Sequence, residues 1–529
     1  MLDKLLGLPA HKYLQFVGTL VLAVGLPLNK VVMSIGTIWL ASNLVLKGDF
    51  RGYWLKWRKS YVFWFIVLIF MLHLLGLLYS NDLSYGLKDL KTKLPLLAIP
   101  LSLIAIPLEK KHLRNVLFGF LGSLLITSLI NYFHFDAIKS EGIVLDFRGL
   151  SLFGSHIRYS LLIVMGIMIS FYFLFILPRL FFLWIPLIVW FGFYTLIGQV
   201  LSGYIAMCFA VGAAIIFGIR SVPKVSYRRF ILIFFGFIIF LGVYQVGKYF
   251  YPEERNVIFG DLPEFTPLGN PYYHDTTFLW FENGQHVMSF ISEKEMRAHW
   301  NEQSAIPFDS LDRAGNQLKF TLMRYLSSKG YKKDREGIQK LGKEDIYLIE
   351  QGVPSVSAAQ NSPRDRIVTL KNQIWNYSIG GDPDGSSLLQ RVEHWKAAIH
   401  IIQHNWLFGV GTGDVQSAFV SAYQDLESKL DTEHWNRAHN QFLTIWVSFG
   451  IFAFLLFTVF WIYLGYRCYS QKNFIGLIFT AIAIGSFLSE DTLETQQGIT
   501  FIALFLGLSL QNHPDSFEGK QSDKLEMKH

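Results

Sequence analysis

Apolar residues along this chain gather into blocks separated by short polar stretches, and most blocks reach the roughly 17 to 25 residues that a helix needs to cross a bilayer. Reading hydropathy from the start gives about twelve such blocks, near 13–28, 29–46, 61–79, 94–107, 113–134, 156–177, 180–198, 200–219, 230–250, 442–466, 473–489 and 498–511. No small-residue cleavage site follows the first block, so it is predicted to stay in the protein as a span. The fourth is short and carries Pro95, Pro100 and Pro107, which predicts a kinked or re-entrant segment. One long polar stretch interrupts the series. The pattern predicts an all-α polytopic integral membrane protein with one large loop domain. Its parts are an N-terminal membrane domain over 1–250 of about nine spans, an extramembrane segment over 251–441, C-terminal spans over 442–511, and a tail over 512–529.

Orientation follows from the basic residues of the short loops, because cytoplasmic loops collect Lys and Arg. Placing the loop with Lys47, Arg51, Lys56, Arg58 and Lys59 inside also places Lys110, Lys111 and Arg114 inside, then Arg220, Lys224, Arg228 and Arg229, then Arg467 and Lys472. Both termini are then expected in the cytoplasm and the large loop in a periplasm-like space. Composition agrees with a membrane protein: 529 residues are 52% hydrophobic and only 16% charged, where a soluble domain carries about a quarter. The net charge of +7 sits mostly in those loops, so it sets orientation and does not indicate nucleic acid. Cys208 and Cys468 are too few for a disulfide framework or a thiolate metal site.

The extramembrane segment has helical signals near its end. Ser387 to Gln390 reads as a capping box, and Val392, Trp395, Ile399, Ile402 and Trp406 follow at helical steps as one apolar face. A turn at Gly409–Gly413 ends that helix, and Asp414 is placed to cap a second with Phe419, Ala422, Leu426 and Leu430 on one side. Between 251 and 385 Gly, Pro and charges interrupt every pattern, and no internal repeat is visible.

With that orientation, residues far apart in sequence fall on one outer face: Arg148, His156, Arg158, Ser202, His439, Glu490, Asp491 and Glu494. Charged groups at the edge of apolar spans are costly and are functional candidates by default, Arg158 above all. Its plainer role is an arginine snorkelling to the headgroups. Weaker signals have bland readings. The Gly409–Gly413 run, with Gly411 and Gly413, is either an amide nest for phosphate or a tight turn, and the turn is favoured. Asp382-Pro-Asp384 imitates a metal-binding pair but is ordinary turn chemistry, so no metal is expected. The cluster Lys329, Lys332, Lys333, Arg335, Lys340 and Lys343 meets anionic groups or is a solvated surface.

The stretch Arg391-Val-Glu-His-Trp395, Asn405-Trp-Leu-Phe-Gly-Val-Gly-Thr-Gly-Asp414 and Arg437-Ala-His439-Asn440-Gln441, entering a span with Phe449-Gly450, resembles the O-antigen ligase and polymerase family. Gly76-Leu-Leu-Tyr-Ser80, Lys93-Leu-Pro-Leu-Leu and Ser486-Phe-Leu-Ser-Glu-Asp-Thr-Leu-Glu-Thr-Gln496 look like it too. The family-like part of the extramembrane segment is about 387–441, and 251–385 is not covered. The resemblance implies a metal-independent, glycosyltransferase-C-like enzyme of the bacterial inner membrane that needs no cofactor. Its donor would be an undecaprenyl pyrophosphate-linked glycan and its acceptor lipid A core, a growing polymer or a protein. Carried over by motif, Arg391 and His439 would be catalytic, with Arg391 at the pyrophosphate. Relatives carry a Ser-Arg-Gly motif where this chain reads Leu201-Ser202-Gly203-Tyr204, so a second arginine must come from elsewhere, and Arg158 and Arg437 are the candidates. Arg148, Gly411, Gly413, Glu490 and Glu494 are candidates for binding substrate or orienting these groups.

The residue types suit such a transfer. Arginine forks stabilise the charge that develops on a departing diphosphate better than lysine does, and a neutral imidazole suits removal of a hydroxyl proton near neutral pH. The leading expectation is an O-antigen ligase using lipid A core, with a polysaccharide polymerase or protein O-oligosaccharyltransferase differing only in acceptor. A transporter or flippase of lipid-linked glycan ranks behind, because the predicted spans hold no Asp or Glu and show no duplicated half.

Overall fold

A computed structural model describes residues 3–140, 150–220, 222–251, 260–277, 280–360, 363–381, 383–384 and 386–511. The N-terminal part is a run of helices: α1 (Asp3–Gly25), α2 (Lys30–Lys47), α3 (Phe50–Trp57), α4 (Tyr61–Leu77), α5 (Leu83–Ala105), α6 (Lys110–Ser140), α7 (His156–Ile176), α8 (Phe181–Gly198), α9 (Leu201–Ile219) and α10 (Val225–Phe250). Short helices follow, α11 (Glu293–Gln303), α12 (Leu318–Ser328), α13 (Arg335–Gln339), α14 (Lys343–Glu350) and α15 (Val356–Gln360), beside a two-stranded hairpin of β1 (Phe281–Glu282) and β2 (Gln285–His286). Then come α16 (Pro363–Ser378), α17 (Ser387–Asn405), α18 (Val415–Asp425), α19 (Gln441–Ser470), α20 (Phe474–Ser489) and α21 (Gln496–Ser509).

Every predicted apolar block overlaps one of these helices. Seven helices among the described residues are long and apolar enough to cross a membrane, and eight if α3 and α4, bent by 97° to one another, count as one. The other blocks lie on helices that are short, such as α20 and α21, or that begin with charges, such as α5 with Lys88, Asp89, Lys91 and Lys93. Over the fourth block α5 runs as one helix through Pro95 and Pro100, and Pro107 lies just past its end. The protein is a multi-pass membrane protein with almost no sheet.

Among the described residues three larger cores hold it together, beside a small cluster of Tyr53, Ala105 and Ile106. The largest threads the membrane helices, with fully buried Leu22, Ile66, Phe120, Leu162, Phe191, Phe457, Phe479 and Ile502. A second lies within residues 280–360, where Trp300, Phe308, Leu322, Tyr325 and Ile338 close over one another. It meets the rest through α16, where Asn376 Nδ2 donates to the Phe281 carbonyl at 3.0 Å and Trp375 packs edge-on to the Phe281 ring. The third joins α17, α18 and the start of α19 through Ala397, Ala398, Ile401, Phe419, Tyr423 and Val447.

Of the apolar face expected on α17, Ile402 is buried and Val392 and Trp395 are half-buried, but the buried side is centred elsewhere. Glu393, His394, Ala397, Ala398 and Ile401 face inward, while Ile399 and Trp406 are about half exposed, because Glu393 and His394 find buried hydrogen-bond partners. Neither expected cap forms as drawn. Ser386 is the cap residue and Ser387 opens the helix, with Gln390 Nε2 donating to the Asp384 carbonyl. Asp414 precedes α18 without capping it.

Helix α19 is broken at Gly450, which has φ +77° and ψ −173°. The break frees carbonyls that the segment after α17 satisfies: the Val410 amide donates to Val447 O and the Gly411 amide to Ser448 O, both at 2.9 Å. The Ile451 amide returns the bond to Trp406 O. A Cβ on Gly450 would sit 2.0 Å from the Leu407 carbonyl oxygen, so glycine is needed for both the dihedral and the approach.

Candidate active site

The loop between α20 and α21 carries Glu490, Asp491 and Glu494, and all three carboxylates turn inward. Buried charge survives only when paired and hydrogen-bonded. Each carboxylate organises a different group of partners.

Glu490 gathers the cations. Its Oε1 accepts from Arg391 Nη2 at 2.5 Å and from Ser202 Oγ at 3.2 Å. Its Oε2 accepts from Arg158 Nη1 at 3.1 Å and lies 3.4 Å from His439 Nδ1. The remaining guanidinium contacts fix the forks. Arg158 donates from Nε to Thr495 Oγ1 and from Nη2 to the Asp491 carbonyl. Arg391 donates from Nη1 to its own helix at Ser387 O and from Nε to Ser489 O. Burial pushes the Glu490 carboxyl up, but the His439 hydrogen bond and the charges of Arg158 and Arg391 outweigh it and hold the group far below the usual carboxylate range. Arg158 is almost fully buried, Arg391 is 12% exposed and His439 34% exposed, so the imidazole and one edge of Arg391 face the open side.

Asp491 sets the backbone. Its Oδ2 accepts the His439 amide at 3.0 Å, and its Oδ1 accepts the Asn440 amide at 3.1 Å and Thr444 Oγ1 at 2.6 Å. His439 has φ +46°, a left-handed conformation that a side chain with a Cβ holds only when its surroundings impose it. Asn440 then caps α19 by accepting from the Phe442 and Leu443 amides. The histidine is thus presented from a strained residue clamped on both sides.

Glu494 holds a second network. Its Oε2 accepts from Lys93 Nζ at 2.7 Å and Arg437 Nη1 at 2.6 Å, and its Oε1 accepts from Gln441 Nε2 at 3.1 Å. Lys93 also meets Asp89 at 3.2 Å, and Arg437 donates to the Tyr85 hydroxyl. Burial works to raise the Glu494 carboxyl, but Lys93 and Arg437 hold it well below its usual range.

His394, on α17, completes the surroundings of His439. The two rings lie 5.2 Å apart, and His394 Nδ1 is 2.7 Å from the Tyr423 hydroxyl. Because that hydroxyl donates to Asn436 O at 2.8 Å, His394 Nδ1 is the donor to it. Burial, then His439 and Arg391, push the His394 pKa down to about 3, so it is neutral at physiological pH.

Of the residues singled out in the sequence, Arg158, Arg391, His439 and Glu490 therefore meet at one point, and Ser202 meets them there. Arg437 and Glu494 belong to the adjacent network. The amides of Val410, Gly411, Thr412 and Gly413 all donate within the protein, to Val447 O, Ser448 O, Gly76 O and Ser80 Oγ. Gly411 and Gly413 let this segment close on the end of α4, where Asp414 accepts the Asn81 and Asp82 amides. Arg148 and Asp382 lie outside the described residues. Asp384, Asp431 and His434 have ligand-type atoms within 4.8 Å of one another, yet Asp384 already accepts the Asp431 amide and lies 3.1 Å from His434 Nδ1. In the basic cluster Lys329 pairs with Asp345, Lys340 with Glu336, and Lys333 donates to the His286 carbonyl. Sequence reasoning missed Asp89 and Tyr85 and gave Lys93 no role. A lysine and an aspartate four residues apart at the mouth of an apolar helix were the available signal.

Residues 353–458 match a family model described as O-antigen ligase. The matched region runs through α17 and α18 to the broken part of α19, and so contains Arg391, His394, Arg437, His439 and Gly450. It supports the O-antigen ligase family and, more broadly, a glycosyltransferase of the ligase or polymerase type acting on a lipid-linked glycan. No curated protein matches the chain.

Proposed function

We propose that this protein is an O-antigen ligase of the bacterial inner membrane, transferring a glycan from undecaprenyl pyrophosphate to lipid A core on the periplasmic face. Both termini are then cytoplasmic and about twelve helices cross the membrane. The observation that carries the reading is the convergence of Arg158, Arg391 and His439 on the Glu490 carboxylate.

The chemistry follows from that arrangement. The donor's diphosphate is drawn to the exposed edge of Arg391, with Arg158 behind it, and as the bond from the sugar's anomeric carbon to the phosphate oxygen breaks the guanidiniums take up the growing negative charge. The acceptor hydroxyl forms the new bond to that carbon and gives its proton to His439 Nε2. Nδ1 of the same ring faces Glu490 Oε2, which keeps the proton on Nδ1, leaves Nε2 free as base, and steadies the imidazolium once it forms. Undecaprenyl pyrophosphate leaves. The balance needs no nucleotide, metal or other cofactor.

A polymerase or a protein O-oligosaccharyltransferase would run the same steps on a different hydroxyl. Purified protein supplied with lipid-linked glycan and, in separate reactions, lipid A core, free polymer or acceptor protein tests the reading without added metal or nucleotide. A product on lipid A core is expected. Transfer to another acceptor alone would overturn the ligase assignment, and transfer to none would overturn the enzyme.

A further inference from the structure

His439 sits between α18 and α19 at φ +46°, a conformation that persists only where the surroundings impose it. Asp491 holds its amide and that of Asn440, which fixes the side leading into α19. The side leading out of α18 is held by a different set of bonds.

Tyr423 is the centre of that set. It lies near the end of α18, is 1% exposed, and donates its hydroxyl proton at 2.8 Å to the carbonyl of Asn436, three residues before His439. Its ring stacks on that of Trp435, with centroids 5.4 Å apart. Two turns earlier on α18, Gln416 Nε2 donates to the Trp435 carbonyl at 3.0 Å. Trp435 Nε1 donates in turn to the Leu430 carbonyl at 2.8 Å. Two consecutive carbonyls are thus tied to one helix, and Ala438, between them and His439, is fully buried.

The direction of the Tyr423 hydroxyl is itself fixed. With its proton on Asn436 O, it accepts from His394 Nδ1 at 2.7 Å. His394 is 2% exposed and stands on α17 one turn after Arg391, with its ring 5.2 Å from that of His439. Burial, then His439 and Arg391 beside it, keep it uncharged, so it does not oppose the imidazolium that His439 becomes. One helix therefore offers Arg391 to the leaving group and, three residues on, the bond that orients the segment carrying the base.

We infer that Tyr423 and His394 are positioning residues of the transfer, which act through the Asn436 carbonyl to hold His439 in register with Arg391. Neither touches the reacting atoms. The inference rests on the glycan-transfer reading for what the geometry serves, and on the bonds joining His394, Tyr423 and Asn436 for the geometry itself. A base displaced by about 1 Å loses on the order of a hundredfold in rate, while substrate binding made by other groups survives.

The full-length protein in detergent is assayed for transfer, and amide exchange of the peptide spanning residues 431–440 is followed by mass spectrometry without substrates. Tyr423→Phe keeps the ring on Trp435 and removes the hydroxyl. His394→Phe keeps a ring beside His439 and removes the donor. Each should lower kcat by about ten- to a hundredfold per mole of folded protein and leave the KM for donor and for acceptor within about twofold. Each should also speed exchange at the His439 and Asn440 amides by about tenfold. His394→Asn, whose side-chain amide donates where Nδ1 did, should recover most of the kcat that His394→Phe loses and restore slow exchange. Unchanged kcat in both phenylalanine variants, a loss that vanishes once folded protein is counted, or a loss carried by KM would overturn the positioning role. So would a fall in kcat with exchange unaltered, or a His394→Asn protein as slow as His394→Phe. All of these leave transfer by the parent, and with it the ligase reading, in place. Exchange that speeds in the phenylalanine variants but not in His394→Asn, in a protein that transfers no glycan, would uphold the anchor and overturn the ligase reading.

Discussion

Arg391 and Glu490 are joined by a 2.5 Å bond between Nη2 and Oε1, which ties α17 to the loop between α20 and α21. The same carboxylate holds Arg158 on its other oxygen, so two cations share one buried anion. In the proposed reaction the edge of Arg391 that stays open beside this carboxylate is the one a diphosphate meets.

Arg391→Lys keeps the charge and loses the planar fork. Transfer measured as kcat/KM should fall by about a hundredfold, with Arg391→Ala lower still and both proteins inserted in the membrane. Glu490→Gln should do more than slow the reaction. It leaves two buried guanidiniums without their anion, and breaking such a group costs about 3 to 5 kcal/mol, so thermal melting in detergent should drop markedly. Unchanged melting of the Glu490→Gln protein would remove Glu490 from the centre of the site.

His439→Gln separates chemistry from folding. The amide that donates to Asp491 belongs to the backbone and survives the substitution, so melting should change little. Transfer should fall by about a hundred- to ten-thousandfold, the range for loss of a general base. Near-normal transfer by this variant would place the base elsewhere.

Stability should depend on pH through His394. Its folded pKa of about 3 lies below the ordinary 6.5, so between those values the unfolded chain takes up a proton that the folded one refuses. Stability is therefore complete above pH 6.5 and declines as pH falls through that window, by about 2 kcal/mol at pH 5. Glu490 acts in the same direction but only below the ordinary carboxylate range, near 4.5. Melting temperatures of the parent protein should fall between pH 7 and 5, and His394→Gln should flatten that slope. A parallel decline in both proteins would assign the effect to other groups.

Gly450→Ala tests the broken helix. The added Cβ would meet the Leu407 carbonyl and force a left-handed dihedral on alanine, which together should cost about 3 kcal/mol or more and lower both membrane-inserted yield and melting temperature. Alanine at Gly212, where a Cβ meets open space, is the control and should be tolerated.

Much of this was legible in the chain. Apolar blocks located the membrane helices because lipid leaves a backbone little other choice, and loop-edge residues such as Arg158, Arg391, His439 and Glu490 stood out because charge there is costly. The buried face of α17 was not legible. Hydrophobicity pointed to Ile399 and Trp406, but Glu393 and His394 are buried because Ser428, Tyr377 and Tyr423 satisfy them across the fold. The same holds for Asp414, whose partners Asn81 and Asp82 lie far away in sequence. The Lys93 and Asp89 network was hidden because α5 begins well before its apolar block. The domain around Trp300 escaped because its helices are too short to show periodicity.

The acidic loop between α20 and α21 is among the last parts of the chain to leave the ribosome, while Lys93, Arg158, Arg391 and Arg437 are made earlier. During biogenesis Arg158 and Arg391 must wait for Glu490 until the last two helices are in place, whereas Lys93 already has Asp89 one turn before it. Assembly of this centre is thus a closing step of the fold, since Glu490 joins it only with the last two helices.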